Sequence, residues 1–592
     1  MKINWYVKHH HHNYYSLVEP YRVNGRNRHR KIYYFGELTP EELQRINHGL
    51  EVMKSHLIKT MKIEDIIFEN YWRYLDVAFL SNLWDQWNLS KVFPRSEDKD
   101  VQTYEIAKIL TIYRCLDAGS YLSAVGWFKD TALDLILSIN NQHINTSRIF
   151  RELDEIEDEK TNIEYYLYTT LKERDKESVR IVFYDLTDSY FEGRKCELAK
   201  SGITKSNGFR RKKIVLALLV NSKGYPFAWD VLEDYTADVK TIKGLSVKWK
   251  TQFKFGDHEV ILVFDRGMVS DENLKHLEDQ KQPYITALDK NQIPGIKGVE
   301  IERFELLDEK NNIEQIIKTG FEKYDGETYY EDRGMIDGRR YVLVFNPTMF
   351  RDERNSRREL IQKANDYLKE KSKALAKAKK SRRESVTRNK IDGKLKDMKA
   401  RKFVDYDLEP IVINSGVKKV KSFSIVSKET EDTQKAIKNS ERTDGLWVIV
   451  TSVQSKKEDK NGLTAGELIS AYRDKNQIEQ AFRDVKSFIK IQPFNVWKPK
   501  HVRAHYTICV LSYLLDITIA NRLKEKDIGI KNPQKVYEIL MKGVVGKISI
   551  KNNFEESLKL MNLQPCQKNI LQLFQSESVV KNKHLKSMKI NY

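Results

Sequence analysis

The sequence predicts a mixed α/β protein, with a sheet core interrupted by a long insertion and flanked by helical segments. Three observations carry this. Residues 179–288 hold the β-branched and aromatic runs VRIVFYDLTD, KKIVLALLV, YPFAWDVL and HEVILVFD, separated first by turns and then by helical stretches, which is the pattern of a mixed sheet. A further strand-like run, DGLWVIVTS, begins at Asp444 after a divergent segment at 290–440. Helical periodicity, as in Ile106, Leu110, Tyr113 and Leu116, runs through the residues from about 60 to 175.

Taken in order, residues 1–55 alternate aromatic and polar groups around the turn signal Val23-Asn24-Gly25, followed by Arg26, Arg28, Arg30 and Lys31. This reads as a small hairpin with a basic edge suited to DNA. His9 to His12 fit a polar loop, a weak metal cluster or a DNA contact. Residues 56–176 read as a helical domain that binds DNA, with the polar stretch Arg151 to Lys160 inside it. Residues 177–289 form the first part of the core: three strands, a helix at about 238–252, a strand ending at Asp265, a helix at about 271–281 and a short strand from Tyr284 to Leu288. Residues 290–440 form the insertion domain, with a strand piece at Arg340 to Phe345. Between Arg351 and Lys402 it carries 20 Lys/Arg against 8 Asp/Glu. That local excess is more than half of the chain's net +19, and it suits either a solvated helical hairpin or a surface that tracks DNA. Residues 441–524 complete the core with a strand, one long helix from Thr464 to Lys490 and a second helix from about 498 to 524. Residues 525–592 read as a helical C-terminal region.

The 592-residue length and 40% hydrophobic content suit several domains with sizeable cores. The basic balance points to a polyanionic partner, nucleic acid before anionic membrane. Cys115, Cys196, Cys509 and Cys566 are too scattered for a zinc pair or a disulfide framework, which fits a reducing compartment. The first residues, MKINWYVKHHHHNYY, lack the apolar core of a signal peptide. The most apolar C-terminal stretch, Ile508 to Ala520, is shorter than the ~20 residues of a membrane span and contains Asp516. It reads as a buried helix, and no membrane association is expected.

The runs IVFYD and ILVFD end at Asp185 and Asp265. A carboxylate on a hydrophobic strand is costly to bury unless it is paired or bound to a metal. A third acid, Glu479, lies in YRDKNQIEQAFRDVK. At about 100° per residue, Tyr472, Lys475, Glu479 and Lys486 share one helix face, so an acid lies among cations. Three carboxylates of this kind could bracket two Mg2+ ions roughly 3.5–4 Å apart. Asp188, Asp230, Glu467, Asp474 and Asp484 are competing acids, although Asp474 and Asp484 turn about 140° away from Glu479. Tyr472 also fits a half-buried helix tyrosine and Lys486 a solvated lysine, and Trp447 reads as a core residue of its strand.

On these residues the chain resembles the DDE transposases of bacterial insertion sequences, in the branch whose last acid lies in a Tyr-x2-Arg-x3-Glu-x6-Lys signature. Tyr472, Glu479 and Lys486 match it. Lys475 stands at the Arg position, which keeps a cation but loses the planar fork, and Arg473 points about 200° away from that position. The resemblance extends through YDLTDSYFEG, VFDRGMVS, GLWVIVTS and VWKPKHVRAHYTICVLSYLL. It implies a ribonuclease-H-like mixed-sheet catalytic core with an insertion domain between Asp265 and Glu479. It also implies Asp185, Asp265 and Glu479 as catalytic metal ligands for two Mg2+, with Mn2+ able to substitute, and Tyr472, Lys475 and Lys486 as DNA phosphate contacts. The implied activity is cleavage of double-stranded DNA at transposon ends and joining of the 3′-hydroxyls to target DNA, by a homodimer in the bacterial cytoplasm. The competing expectations are a catalytically inactive DNA-binding descendant and another ribonuclease-H-like nuclease.

Overall fold

The computed structural model describes residues 4–54, 66–191, 195–203, 210–232, 238–257, 259–293, 313–415, 418–487, 489–492, 494–550, 553–581, 585 and 588. The chain opens with strands β1 (Tyr6–His9), β2 (Tyr14–Val23) and β3 (Arg26–Glu37), which form an antiparallel three-stranded sheet, followed by helix α1 (Pro40–Lys54). Asn24 and Gly25 both have positive φ, 50° and 76°, the two-residue turn that lets twisted strands pair directly. Strand β4 (Ile66–Arg73) leads into helices α2 (Leu75–Gln86), α3 (Thr103–Asp117), α4 (Tyr121–Lys129), α5 (Leu133–Leu137), α6 (Thr146–Asp158) and α7 (Lys160–Arg174). Their starts are written locally: Gln102 and Glu105 form a capping box on α3, while Ser120 and Asn145 cap α4 and α6.

The central sheet begins with β5 (Ile181–Phe191), β6 (Lys200–Ile203), β7 (Arg210–Asn221) and β8 (Pro226–Leu232). Helix α8 (Asp238–Phe253), β9 (Ile261–Phe264), α9 (Asp271–Asp279) and β10 (Tyr284–Ala287) follow. Strand β7 pairs antiparallel with both β5 and β8, whereas β9 runs parallel to β5 and β10 parallel to β9. The order β8-β7-β5-β9-β10 is therefore an antiparallel trio extended by parallel strands, which need the crossovers supplied by α8 and α9.

Within 290–440 the chain does two different things. Helix α10 (Ile313–Lys318) and strands β11 (Glu322–Lys323), β12 (Tyr329–Ile336) and β13 (Arg339–Phe345) extend the central sheet. Helices α11 (Pro347–Ala376) and α12 (Glu384–Asp397), the hairpin β14 (Asp405–Ser415) and β15 (Lys418–Lys428), and α13 (Glu431–Glu441) then build a body around a separate core that includes Leu368, Leu375, Ile391, Leu395 and Tyr406. Arg354 and Arg357 of α11 pair with the buried Asp444, tying this body to the strand that follows. That strand, β16 (Leu446–Thr451), inserts between β13 and β10. Gly445 precedes it at φ +67°, where a Cβ would stand 2.6 Å from the Phe350 Cβ, so the turn requires glycine.

Helices α14 (Ala465–Arg473), α15 (Asn476–Ser487), α16 (Pro499–Glu525) and α17 (Pro533–Leu540) come next, then β17 (Val544–Ile550), β18 (Asn553–Leu560) and α18 (Pro565–Leu573). Among the described residues α16 is the one helix long and apolar enough to cross a membrane, and that stretch is buried within the fold. The Tyr506 and Tyr513 hydroxyls donate to the carbonyls of Ala217 and Gly224, and the Trp87 indole donates to Thr518. Helix α16 thus joins the sheet to the helices of 75–171, and all of them share one hydrophobic core.

Two expectations need correction. The C-terminal region is not wholly helical, since β17 and β18 form a sheet with β4, a strand inside the segment read as helical. These strands are partly polar and are held by a partner far away in sequence: buried Lys547 meets Glu69 at 2.8 Å. Strand propensity of that kind depends on tertiary context. The long helix from 464 to 490 is also two helices. Gln477 N–H donates to Asp474 and Ile478 N–H to Lys475, both i to i−3 bonds, which tighten the chain between α14 and α15.

Candidate active site

Asp185 lies in the middle of β5 rather than at a strand end, opposite Leu218 of β7, in a strand buried on both faces at Val182, Phe183 and Tyr184. Its Oδ1 accepts the Leu186 N–H at 2.8 Å. Burial pushes its carboxyl up to about 6; the amide bond opposes this, the charges of Asp265 and Glu479 add to it, and Lys475 counters it. Asp265 follows β9 directly, at the carboxyl end of a parallel strand, where α/β sheets place their ligand sites. Glu479 sits in the first turn of α15. Three separate elements therefore contribute acids that act on one another's charge.

Lys475 links two of them, with its Nζ 2.8 Å from Asp265 Oδ1 and 3.3 Å from Glu479 Oε1. Burial works to raise the Asp265 carboxyl, but the hydrogen bond and charge of Lys475, helped by Arg266, hold it below the usual carboxylate range. Burial likewise works to lower the Lys475 ammonium, and Asp265, Tyr472 and Glu479 together raise it. The cation read as a phosphate contact is here the counter-ion of the acids. Lys486 donates to Thr187 Oγ1 at 2.5 Å and lies 3.9 Å from Asp188, on the other side of Asp185. Arg473 points away, donating to Asp325 and Thr328 at 2.5 and 2.6 Å, in keeping with its place on the helix.

The competing acids have other partners. Asp230 pairs with Lys248, Glu467 completes the capping box of α14 and meets Lys456, Asp484 accepts from Gln480, and Asp188 faces Lys213 and Lys486. Among the described residues no three His, Cys, Asp or Glu side chains stand close enough together to hold an ion as they are. The chemistry of the set nonetheless fits a hard divalent cation, because it offers carboxylate oxygens only. A cationic group, Lys475, already lies between two of them.

A cleft of about 470 Å³ opens beside Asp265 and Lys475, walled by Trp447, Tyr472, Arg266, Lys290 and Glu353. The Trp447 and Tyr472 rings lie 5.5 Å apart at 32°, and the Lys475 ammonium stands 5.5 Å from the Tyr472 ring. Burial pushes the Tyr472 phenol up to about 12. Aromatic faces beside cations suit a nucleotide, its base against the rings and its phosphate against the charges. Trp447, read from the sequence as core, is half-buried and lines this cleft. An apolar strand run does not reveal which side chain sits opposite an opening. Arg266 and Lys290 were also missed; the available signal was their position just after β9 and β10.

Comparison with known proteins follows this geometry. Residues 180–515 match the family described as transposase DDE domain, and residues 6–59 match the IS1634 family transposase N-terminal domain. No curated protein matches the chain. Similar solved structures include a piggyBac transposase synaptic complex with hairpin DNA, 10% identical with a TM-score of 0.33, covering 87% of this chain and 79% of that one. A Mos1 transposase paired-end complex with the left transposon end is 14% identical with a TM-score of 0.14, covering 42% of this chain and 72% of that one. Likenesses this distant carry no argument, and the family rests on the sequence matches. With more than half of its length matched by the transposase DDE domain, the chain belongs to the DDE transposase family.

Proposed function

We propose that this transposase cleaves double-stranded DNA at the ends of its insertion sequence and joins the freed 3′-hydroxyls to target DNA, using Asp185, Asp265 and Glu479 as ligands for two Mg2+ ions, with Mn2+ able to substitute. The observation that carries the reading is the approach of three acids from three elements: the charges of Asp265 and Glu479 act on Asp185, Lys475 joins Asp265 to Glu479, and Asp265 lines a cleft with aromatic and cationic walls. When bound, divalent ions supply an activated oxygen nucleophile and stabilise the leaving oxygen.

The chain's own residues provide the rest. The carboxylates hold fixed negative charge on rigid elements, two on neighbouring parallel strands and one on a helix. Asp185, whose carboxyl is raised by burial, loses its proton more readily when a cation is close. Tyr472, Lys475 and Lys486 hold the phosphates flanking the cleaved bond, Lys475 turning from the acids toward phosphate once another cation balances them. Arg266 and Lys290 extend that positive wall. Two ends must be handled together, so the working form is a homodimer on DNA in the cytoplasm of its host.

The test is excision of a paired-end substrate from a plasmid in Mg2+, with Asp185→Ala, Asp265→Ala and Glu479→Ala proteins beside the wild type. Each variant is expected to lose about a hundred- to a thousandfold in rate, as removal of one group that stabilises transition-state charge does, while still binding end DNA. Full activity in any one of them would remove that residue from the site.

A further inference from the structure

The outer half of the β2–β3 ribbon is exposed to solvent, with the Tyr6 side chain of β1 against His29 as a contact from outside it. From Tyr21 to Lys31 every described side chain is exposed, so no core holds either face. The register places Val23 opposite Arg26, Tyr21 opposite Arg28 and Glu19 opposite Arg30 on one face, with Arg22 opposite Asn27 on the other. Residues 19–31 contain five Lys/Arg and one acid. Arg30 is paired with Glu19 at 2.6 Å, and the Arg22 Nε donates to Asn27 at 2.9 Å. Among the described residues Arg26 and Arg28, beside the turn, form no ion pair, and they share their face with Tyr21 (44% exposed) and Val23 (39% exposed). A solvated edge needs charge but not this exposed apolar pair.

We propose that the β2–β3 ribbon enters the major groove of the insertion sequence's end DNA and reads it directly, an inference that rests on the transposase reading above. The major groove, about 12 Å wide, admits a two-stranded ribbon. Arg26 and Arg28 offer the bidentate fork that matches the O6 and N7 edge of guanine, and Tyr21 and Val23 offer apolar contact to thymine methyls on the same face. Arg22, Asn27 and Lys31 on the other face meet the groove wall and backbone, which fixes register without carrying sequence information.

The experiment uses the full chain and measures binding to its own end duplex, to a scrambled duplex, and to an end duplex in which guanine is replaced by 7-deazaguanine. The double variant Arg26→Ala/Arg28→Ala is expected to bind the end duplex about tenfold or more weakly and to lose most of its preference over the scrambled one. The 7-deazaguanine duplex is expected to weaken the wild type and leave the variant unchanged. Arg26→Lys/Arg28→Lys, which keeps the charge and removes the fork, is expected to lose preference while keeping its salt dependence. Equal loss on both duplexes with no 7-deazaguanine effect would overturn groove reading, as would unchanged binding by the alanine variant. Failure of the wild type to excise its element would overturn the transposase reading instead. Excision by a wild type that binds its end and the scrambled duplex equally would overturn only the ribbon.

Discussion

At the residue scale the site is organised by Lys475. It is the one position where the Tyr472 to Lys486 pattern departs from the family signature, and the sequence alone assigns it to phosphate. Its placement 2.8 Å from Asp265 and 3.3 Å from Glu479 gives it a second task, balancing acids that would otherwise repel. Lys475→Met removes that balance. In EDTA the variant is expected to melt below the wild type by the equivalent of about 1 kcal/mol, a small effect because both acids are more than a third exposed. In Mg2+ the gap is expected to narrow, since a bound ion stabilises the folded form and no longer competes with an ammonium. Thermal melting with and without Mg2+ checks this, and an identical Mg2+-induced shift in both proteins would show that Lys475 does not share the ion's position. Asp185 and Asp265 stand out in the sequence because each closes an apolar run, and Glu479 because it shares a helix face with cations; the structure brings Lys475 against Asp265 and Glu479. Trp447 packs against the core as its strand suggests, but that it also lines the cleft was not legible, because a strand's composition says nothing of what opens beside it.

At the element scale α16 is the keel of the fold, and it buries one acid. Asp516 is fully enclosed and accepts a hydrogen bond from Tyr537. Burial pushes its carboxyl up to about 7, against which the Tyr537 bond works. In the unfolded chain the group returns to the ordinary aspartate range near 4. The folded form therefore binds the extra proton between about pH 4 and 7, and stability falls through that window by up to about 1.4 kcal/mol per pH unit. Asp516→Asn keeps an acceptor for Tyr537 without the charge. It is expected to raise the melting temperature at pH 8 and to give no gain near pH 4; a gain independent of pH would mean that Asp516 is not the titrating group. The sequence reading of α16 as buried holds, as do the strands around Asp185, Asp265 and Trp447, since continuous apolar runs bounded by turns leave little choice. The sheet of β4, β17 and β18 was hidden because its partners come from opposite ends of the chain. The break between α14 and α15 was hidden because Asp474 and Lys475 carry no glycine or proline to mark it.

At the scale of the whole molecule the chain is strongly basic, and the structure concentrates that charge in places the packing leaves free. Helices α11 and α12 have a core of their own, and Arg357 anchors them to Asp444, so removing Arg351 to Lys402 would destroy a folded body rather than a tail. The bend between the two helices is different. Lys377, Lys379, Lys380, Arg382 and Arg383 lie within seven residues there, all exposed and, among the described residues, without an ion pair. A cluster of cations with no acids costs self-repulsion in the free protein and is relieved by a polyanion, so the bend is expected to track the DNA backbone. Each neutralised phosphate contributes about 0.9 to the slope of log K against log salt. Replacing Lys379, Lys380, Arg382 and Arg383 by glutamine should therefore lower the slope for DNA binding by about two or more. It should leave the preference for end sequence intact, because phosphate contacts position without specifying. Melting should be unchanged, since these side chains are exposed and the bonds that hold the bend, from the Arg382 backbone N–H to Lys421, from the Lys421 N–H to Ser381 Oγ and from Thr387 to the Arg383 carbonyl, survive the substitution. Salt titrations on end and scrambled duplexes read all of this, and an unchanged slope would assign the bend to solvation alone.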